Sequence, residues 1–266
     1  MAAMTLPQNA LVRPPESSFA AALSQKPQAP AIDVIRAQVQ HRLYASALRA
    51  AGLEVVVLPS APGLPDACFV QDVALVLPEG VILARPAELA RQPEVDAMRA
   101  HLPADRPRVE IHPPGTLEWG DVLRIDNTFY AGQSARTNAA GTEQLRQALG
   151  SWGYEVRALP VPHGLHLLSG VNYVGRAPTA PDGPGVLVAW AVYAAPLQFA
   201  GRDVIVVPEP EAPAANCLAI GDFVIFPAGY PQTEAELRQR GFRVLSVPVD
   251  EFAKADGGVT CLSIVW

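Results

Sequence analysis

The strongest constraint on the fold is an order of elements that keeps returning along the chain: strand, tight turn, strand, helix, strand. Phe69–Leu77 and Val81–Ala84 flank the turn Pro78-Glu79-Gly80, and a helix around Glu94–His101 and a strand around Arg108–His112 follow. Leu117–Ile125, the Asp126-Asn127 turn and Thr128–Ala131 start the order again. This copy goes on to a helix over Ala139–Leu149, a stop at Gly150–Gly153 and a strand over Glu155–Leu159. A third copy comprises Gly164–Val174, a Pro/Gly-rich insertion over Ala177–Gly185, Val186–Tyr193 and Val204–Pro208. A fourth comprises Cys217–Ile220, the turn Gly221-Asp222, Phe223–Pro227, a helix over Thr233–Arg240 and a strand over Arg243–Val247.

Thr260–Val265 opens a fifth copy that only the N-terminal segments can complete. Those segments are a strand at Leu11-Val12, a helix over Ala31–Ala51 and a strand over Glu54–Pro59 that reads as buried. In the helix Ile32, Ile35, Val39, Leu43 and Leu48 recur near helical spacing, and Gly52 supplies the stop. Pro14, Pro15, Pro27 and Pro30 mark the loop between the first strand and the helix. Residue identity between copies is weak, so the order of elements is the repeat signal. Units that bury their apolar faces against neighbours can close into a ring, which leaves no end to cap. The expected fold is α/β, a five-bladed pseudo-symmetric propeller of ββαβ units closed across the termini. Residues 1–10 read as a loose tail and residues 11–266 as a single domain. In such a ring, equivalent strand ends from every unit converge on one central mouth.

The totals suit that reading. A chain of 266 residues, half of them hydrophobic, has ample material for a core. A formal net charge of -6 gives no basic footprint for nucleic acid. Cys68, Cys217 and Cys261 fit neither a zinc spacing nor a paired disulfide framework, which suits a reducing compartment. Met1–Ala10 lacks the basic and apolar regions of a signal peptide, and no apolar run is long enough to span a bilayer. The expectation is a soluble, cytoplasmic protein with neither nucleic acid nor membrane as partner.

Chemistry-bearing residues cluster at the expected strand ends. The final segment places Gly257-Gly258 before Cys261, and a glycine pair there signals close approach of the backbone to another group. A lone cysteine is usually a small buried hydrophobe. Here partners stand upstream, as in nucleophilic sites assembled from residues distant in sequence. Asp66 and Asp72 flank Phe69; Asp66 after Pro65 suits a turn, and Phe69 suits the core. Asp72 and Glu118 sit in strand-like runs, where a buried carboxylate is costly unless paired. Arg85 and Arg136 close matching hairpins in successive units, as surface or structural arginines or as a coordinated pair. His166 reads either as a core histidine or as an acid–base group, His163 as a loop residue, and Asp121 as a brace for the Glu118 turn. Asn216 and the other two cysteines read as packing or turn residues.

Taken together, a thiol, an imidazole and several acids suit attack on a cationic planar carbon. A guanidinium is a poor electrophile because its charge is delocalised, so a strong nucleophile is required. Acids can hold its N–H groups in a fixed plane by charge-assisted hydrogen bonds. A histidine can protonate the departing amine and then activate water, and two arginines remain for a carboxylate at the substrate's far end.

The stretches LPDACFVQD, ILARP, GTLEWGD, GQSARTN, GLHLLSG, AANC, PAGYP and DGGVTCLS, in that order, carry a resemblance over Val12–Trp266 to the dimethylarginine dimethylaminohydrolases. These are guanidino-group modifying enzymes with the pentein fold. The resemblance implies hydrolysis of asymmetric dimethylarginine or monomethylarginine to L-citrulline and an alkylamine through a thiouronium on Cys261. It implies Cys261 as nucleophile, His166 as general acid/base and Glu118 as the acid orienting histidine and guanidinium. Asp72 and Asp66 would bind the substrate, Phe69 would wall the pocket, and Arg85 and Arg136 would hold the α-carboxylate. It implies no cofactor and no metal, and it leaves a homodimer open.

Two departures bear on substrate choice. Leu168 stands where a lysine is frequent, at the expected rim, and Ser17–Gln25, a candidate lid, aligns poorly. Arginine deiminases share the fold and nucleophile but usually carry an aspartate at the Leu168 position. They, other amidinohydrolases or amidinotransferases, and non-catalytic binding penteins are the competing readings.

Overall fold

A computed structural model describes residues 6–25, 30–194, 199 and 201–266. Met1–Thr5 of the expected tail and Pro27 of the first loop lie outside the described residues. The chain runs through β1 (Asn9–Val12), α1 (Val34–Ala50), β2 (Glu54–Val57), β3 (Ala74–Leu77), β4 (Gly80–Leu83), α2 (Gln92–Arg99) and β5 (Arg108–Glu110). It continues with β6 (Val122–Ile125), β7 (Thr128–Gln133), α3 (Ala139–Ser151), β8 (Glu155–Pro160), β9 (Val171–Arg176), β10 (Gly185–Trp190), α4 (Ala191–Ala194) and β11 (Asp203–Val207). Last come β12 (Leu218–Ile220), β13 (Phe223–Pro227), α5 (Pro231–Gln239), β14 (Arg243–Val247), α6 (Asp250–Ala253) and β15 (Ile264–Val265).

These strands form five three-stranded sheets: β3-β4-β5, β6-β7-β8, β9-β10-β11, β12-β13-β14 and β15-β1-β2. In each, the first two strands are antiparallel and the third lies parallel to the second. A parallel pair needs a crossover, and the helix of each repeat supplies it. The fifth sheet closes the ring: Leu11 pairs with Ile264 on one side and Val56 on the other. The five-bladed ring expected from the repeat, which the resemblance identifies with the pentein fold, is therefore present. Asn9 and Ala10, expected in the tail, already belong to β1.

Two faces are reversed. Ile35, Val39 and Leu43 of α1 are 77%, 41% and 47% exposed. The buried side of α1 carries Ala37, Gln40, His41, Tyr44, Ala45 and Leu48 instead. Small Ala37 and Ala45 let the helix approach the segment around Cys261, and the Tyr44 hydroxyl bonds Ser263 Oγ at 2.7 Å. The expected buried strand β2 is an outer edge strand bonded on one side only, so Val56 and Val57 face out.

The most useful difference lies at the start of each blade. The sequence reads Phe69–Leu77, Leu117–Ile125 and Thr260–Val265 as strands, but each begins with a single 3₁₀ turn: Val70–Val73, Trp119–Asp121 and Val259–Leu262. Leu167–Ser169 does the same before β9, and Glu209–Ala215 before β12. Such a turn redirects the chain just before its strand and aims side chains at the hub. Among the described residues, no helix is long and apolar enough to cross a membrane.

Candidate active site

The leading turns are bonded to one another around the hub. Gly120 N–H donates to Asp72 Oδ1 at 3.2 Å, and Gln71 Nε2 to the Trp119 carbonyl at 2.8 Å. Asp121 Oδ1 accepts the Leu167 N–H at 3.1 Å, and its Oδ2 accepts Ser134 Oγ–H at 2.6 Å. Asp121 is thus a brace between blades, as its place in the sequence suggests. Ser134 Oγ also accepts the N–H groups of Arg136 and Thr137, and Asn138 caps α3 through the Gly141 N–H. That capped turn is what directs Arg136 inward.

Glu118 is fully buried. Its Oε2 lies 2.8 Å from His166 Nε2, and its Oε1 accepts Arg136 Nη1–H at 3.3 Å. Burial would raise the Glu118 carboxyl, but the hydrogen bond from His166 and the charges of Arg91, His166 and Arg136 hold it down at about 2. Burial would lower His166, yet the Asp72 charge and the Glu118 hydrogen bond, with Asp121, push it up to about 9. The imidazole is therefore cationic at neutral pH. Burial, reinforced by the Asp72 charge, pushes the Cys261 thiol up to about 12, so the thiol is neutral at rest. Burial also raises Asp66, whose carboxylate accepts the Leu23 N–H at 3.2 Å.

Asp66, Phe69, Asp72, Arg136, His166 and Cys261 line one cavity, with Leu23 and Asp256 also in its wall. The cavity is about 20 Å³, room for about one water molecule. Leu23 belongs to the expected lid segment. Ser24 Oγ–H and Gln25 N–H donate to Asp256 Oδ2, so this segment is tied to both Asp66 and Asp256. The glycine pair is used as expected: a Cβ on Gly257 would lie 2.3 Å from Phe69 Cε1, and one on Gly258 would lie 2.3 Å from Asn216 Oδ1.

Of the expected residues, Glu118 reaches the cavity only through His166, and Arg85 is the other one outside its lining. The Arg85 Nη1–H donates to the Gly115 carbonyl at 3.1 Å, bracing the strand that leads to Glu118. Arg91 lines the cavity instead. Its Nη1 reaches Asp72 Oδ2 at 3.1 Å and Glu118 Oε2 at 3.3 Å, while Nε and Nη2 hold Glu94. The matching hairpin positions of Arg85 and Arg136 single out Arg85, whereas the cavity wall holds Arg91 beside Arg136. Arg91, three residues before Glu94, reads in sequence as half of a surface ion pair, and only the fold reveals its depth.

The nearest ligand atoms of Asp72, Glu118 and His166 lie within 4.8 Å of one another, a spacing that could receive a cation. The Arg91 guanidinium already bridges the two acids. Leu168 is packed in the core and not at the rim of the cavity. His163 stands outside the site, its ring near Trp190.

A pentein whose hub gathers a thiol, an imidazole paired to a carboxylate, and further acids is a guanidino-group modifying hydrolase by class. The family model described as "N,N dimethylarginine dimethylhydrolase, eukaryotic" matches residues 18–176. The N(G),N(G)-dimethylarginine dimethylaminohydrolase of Pseudomonas aeruginosa is 34% identical, covering 87% of this chain and 89% of its own. That of Streptomyces coelicolor is 33% identical, covering 97% and 96%. A crystal structure of a mutant P. aeruginosa enzyme complexed with citrulline superposes with a TM-score of 0.93 at 30% identity, over 98% of this chain and 100% of that one. The chain belongs to the dimethylarginine dimethylaminohydrolase family.

Proposed function

We propose that this chain hydrolyses Nω-methylated L-arginine to L-citrulline and methylamine or dimethylamine, with Cys261, His166 and Glu118 as its catalytic residues. The observation that carries these roles is that Cys261 shares a cavity with His166, whose Nε2 lies 2.8 Å from the buried Glu118. The cationic guanidinium of the substrate, seated against Asp72, offsets the acid that disfavours the thiolate, and the thiol releases its proton to solvent. The sulfur attacks the guanidinium carbon, and His166 gives a ring proton to the departing amine. The product is an S-linked thiouronium, with His166 left neutral. Water then adds to that carbon, giving one proton to His166 and a second to the departing sulfur, and citrulline leaves. Both the thiol and the imidazolium are thereby restored.

In this reading Asp66 is a further acid of the substrate site, Phe69 walls the pocket, and Arg136 and Arg91 are the cations available to the α-carboxylate, with Arg85 in a supporting part. The lid over residues 17–25 lifts to admit a ligand far larger than the closed cavity. Residues 11–266 act as one catalytic domain on a small molecule, and neither nucleic acid nor membrane is a partner. Three free cysteines suit a reducing, cytoplasmic setting. A homodimer is compatible with the site, which draws all its residues from one chain.

The test is citrulline release from asymmetric dimethylarginine, monomethylarginine and arginine in parallel, with Cys261→Ser as control. Release from the methylated substrates alone supports the proposal. A clear preference for arginine replaces it with deimination, and no release from a folded protein removes the substrate assignment.

A further inference from the structure

The hub bonds that link one leading turn to the next are made by Gln71, Asp72 and Asp121 between the blades that begin at the Val70, Trp119 and Leu167 turns. Between the His166 turn and the Cys261 turn the link is Asn216. Its Oδ1 accepts the Thr260 N–H at 3.1 Å, and its Nδ2 donates to the Leu168 carbonyl at 3.0 Å and to Thr260 Oγ1 at 2.8 Å. The orientation of the amide is fixed by its partners: a backbone N–H needs the oxygen end, and a backbone carbonyl needs the nitrogen end. Thr260 Oγ1 is therefore an acceptor from Asn216, and its own proton is left to point elsewhere. Cys261 Sγ lies 3.9 Å from that oxygen.

We propose that Asn216 and Thr260 form a donor relay that presents the Thr260 hydroxyl proton to Cys261 and stabilises its thiolate. Asn216 is a positioning residue in this relay, and Thr260 is the group that meets the sulfur. The 3.9 Å separation is the outer limit of a hydrogen bond to sulfur, and it shortens as the thiol loses its proton and negative charge gathers on the sulfur before attack. The same amide fixes the spacing between the His166 and Cys261 turns, because it holds Leu168 and Thr260 together. Gly258 is part of the device, since its lack of a Cβ leaves the space that the Asn216 side chain fills. The inference rests on Cys261 being the nucleophile.

The charged groups that share the cavity with Cys261 are Asp66, Asp72, Arg91, Arg136, His166 and Asp256. The phenol of Tyr44 lies close enough for its charge to couple to the sulfur. None of these is altered by Thr260→Val, which keeps the side-chain shape and removes only the hydroxyl. Because Asn216→Ala risks misfolding, Thr260→Val and Thr260→Ser carry the test.

The measurement is the rate at which iodoacetamide alkylates Cys261 in the full chain from neutral pH to about pH 10, where the rate follows the thiolate fraction. Peptide mass spectrometry separates Cys261 from Cys68 and Cys217. Thr260→Val is expected to displace the profile upward by about one pH unit, a roughly tenfold slower reaction at fixed pH. Asn216→Ala is expected to do the same, and Thr260→Ser to retain the parent profile. A Thr260→Val profile that overlies the parent overturns the relay, as does a Thr260→Ser profile that matches Thr260→Val. Alkylation requires no substrate, so a wrong substrate assignment and a wrong relay give different results.

Discussion

His166 and Glu118 meet at 2.8 Å with the carboxylate wholly removed from solvent, and each holds the other in its charged form. Removing the charge from one partner should therefore disable the other. Glu118→Gln keeps the shape and loses the charge, so His166 becomes easier to deprotonate. We expect kcat for citrulline release to fall by roughly 10²-fold or more, the usual scale of a general acid–base contribution. The alkaline limb of the pH profile should also move to lower pH. An unchanged limb, read from kcat against pH, would disprove the coupling.

Arg91 and Arg85 should separate cleanly in stability. Arg91→Met leaves Asp72, Glu94 and Glu118 buried without their shared cation, and breaking a buried pair in this way costs about 3–5 kcal/mol. Arg85→Met removes a half-buried hydrogen bond to the Gly115 carbonyl and should cost about 1–2 kcal/mol. Urea midpoints of the two variants decide the matter, and equal costs would count against this division.

The same ion pair gives stability a definite pH dependence. His166 titrates at about 9 in the folded chain, above its unfolded value near 6.5. Its contribution is full below about pH 6.5 and is lost as pH rises through about 9. Glu118 is depressed to about 2, so its contribution holds above its unfolded value near 4.3 and is lost as pH falls through about 2. Unfolding free energies of the parent and His166→Asn should converge between about pH 6.5 and 9. A constant gap across that range would contradict the assignment.

The ring was legible because the order of elements survives even where residue identity between blades does not. Its closure could be read from the fact that Thr260–Val265 lacks partners unless β1 and β2 supply them. Legibility failed where a local pattern had two structural solutions. Ile35, Val39 and Leu43 mark a helix correctly but not its buried side, since close packing against the Cys261 turn selects Ala37, Tyr44 and Ala45. The leading 3₁₀ turns are too short to leave a period of their own inside strand-like runs. Arg91 was hidden because, beyond its i,i+3 partner Glu94 on α2, it meets Asp72 and Glu118 from the leading turns of two blades, a convergence that no spacing in the sequence encodes. Asn216 looked like packing for the same reason: its importance lies in joining Leu168 to Thr260.

The pairing of β15 with β1 also sets a timetable. During synthesis β1 is made before the other strands of the ring and has no antiparallel neighbour until β15 follows them. The turn bearing Cys261 sits immediately before β15, so this thiol takes up its place in the hub only when the ring closes. A growing chain can shape four blades and assemble the acids and the imidazole in advance. The sulfur joins them after the other four blades, so the thiol and the imidazole come to share one cavity only in the closed ring.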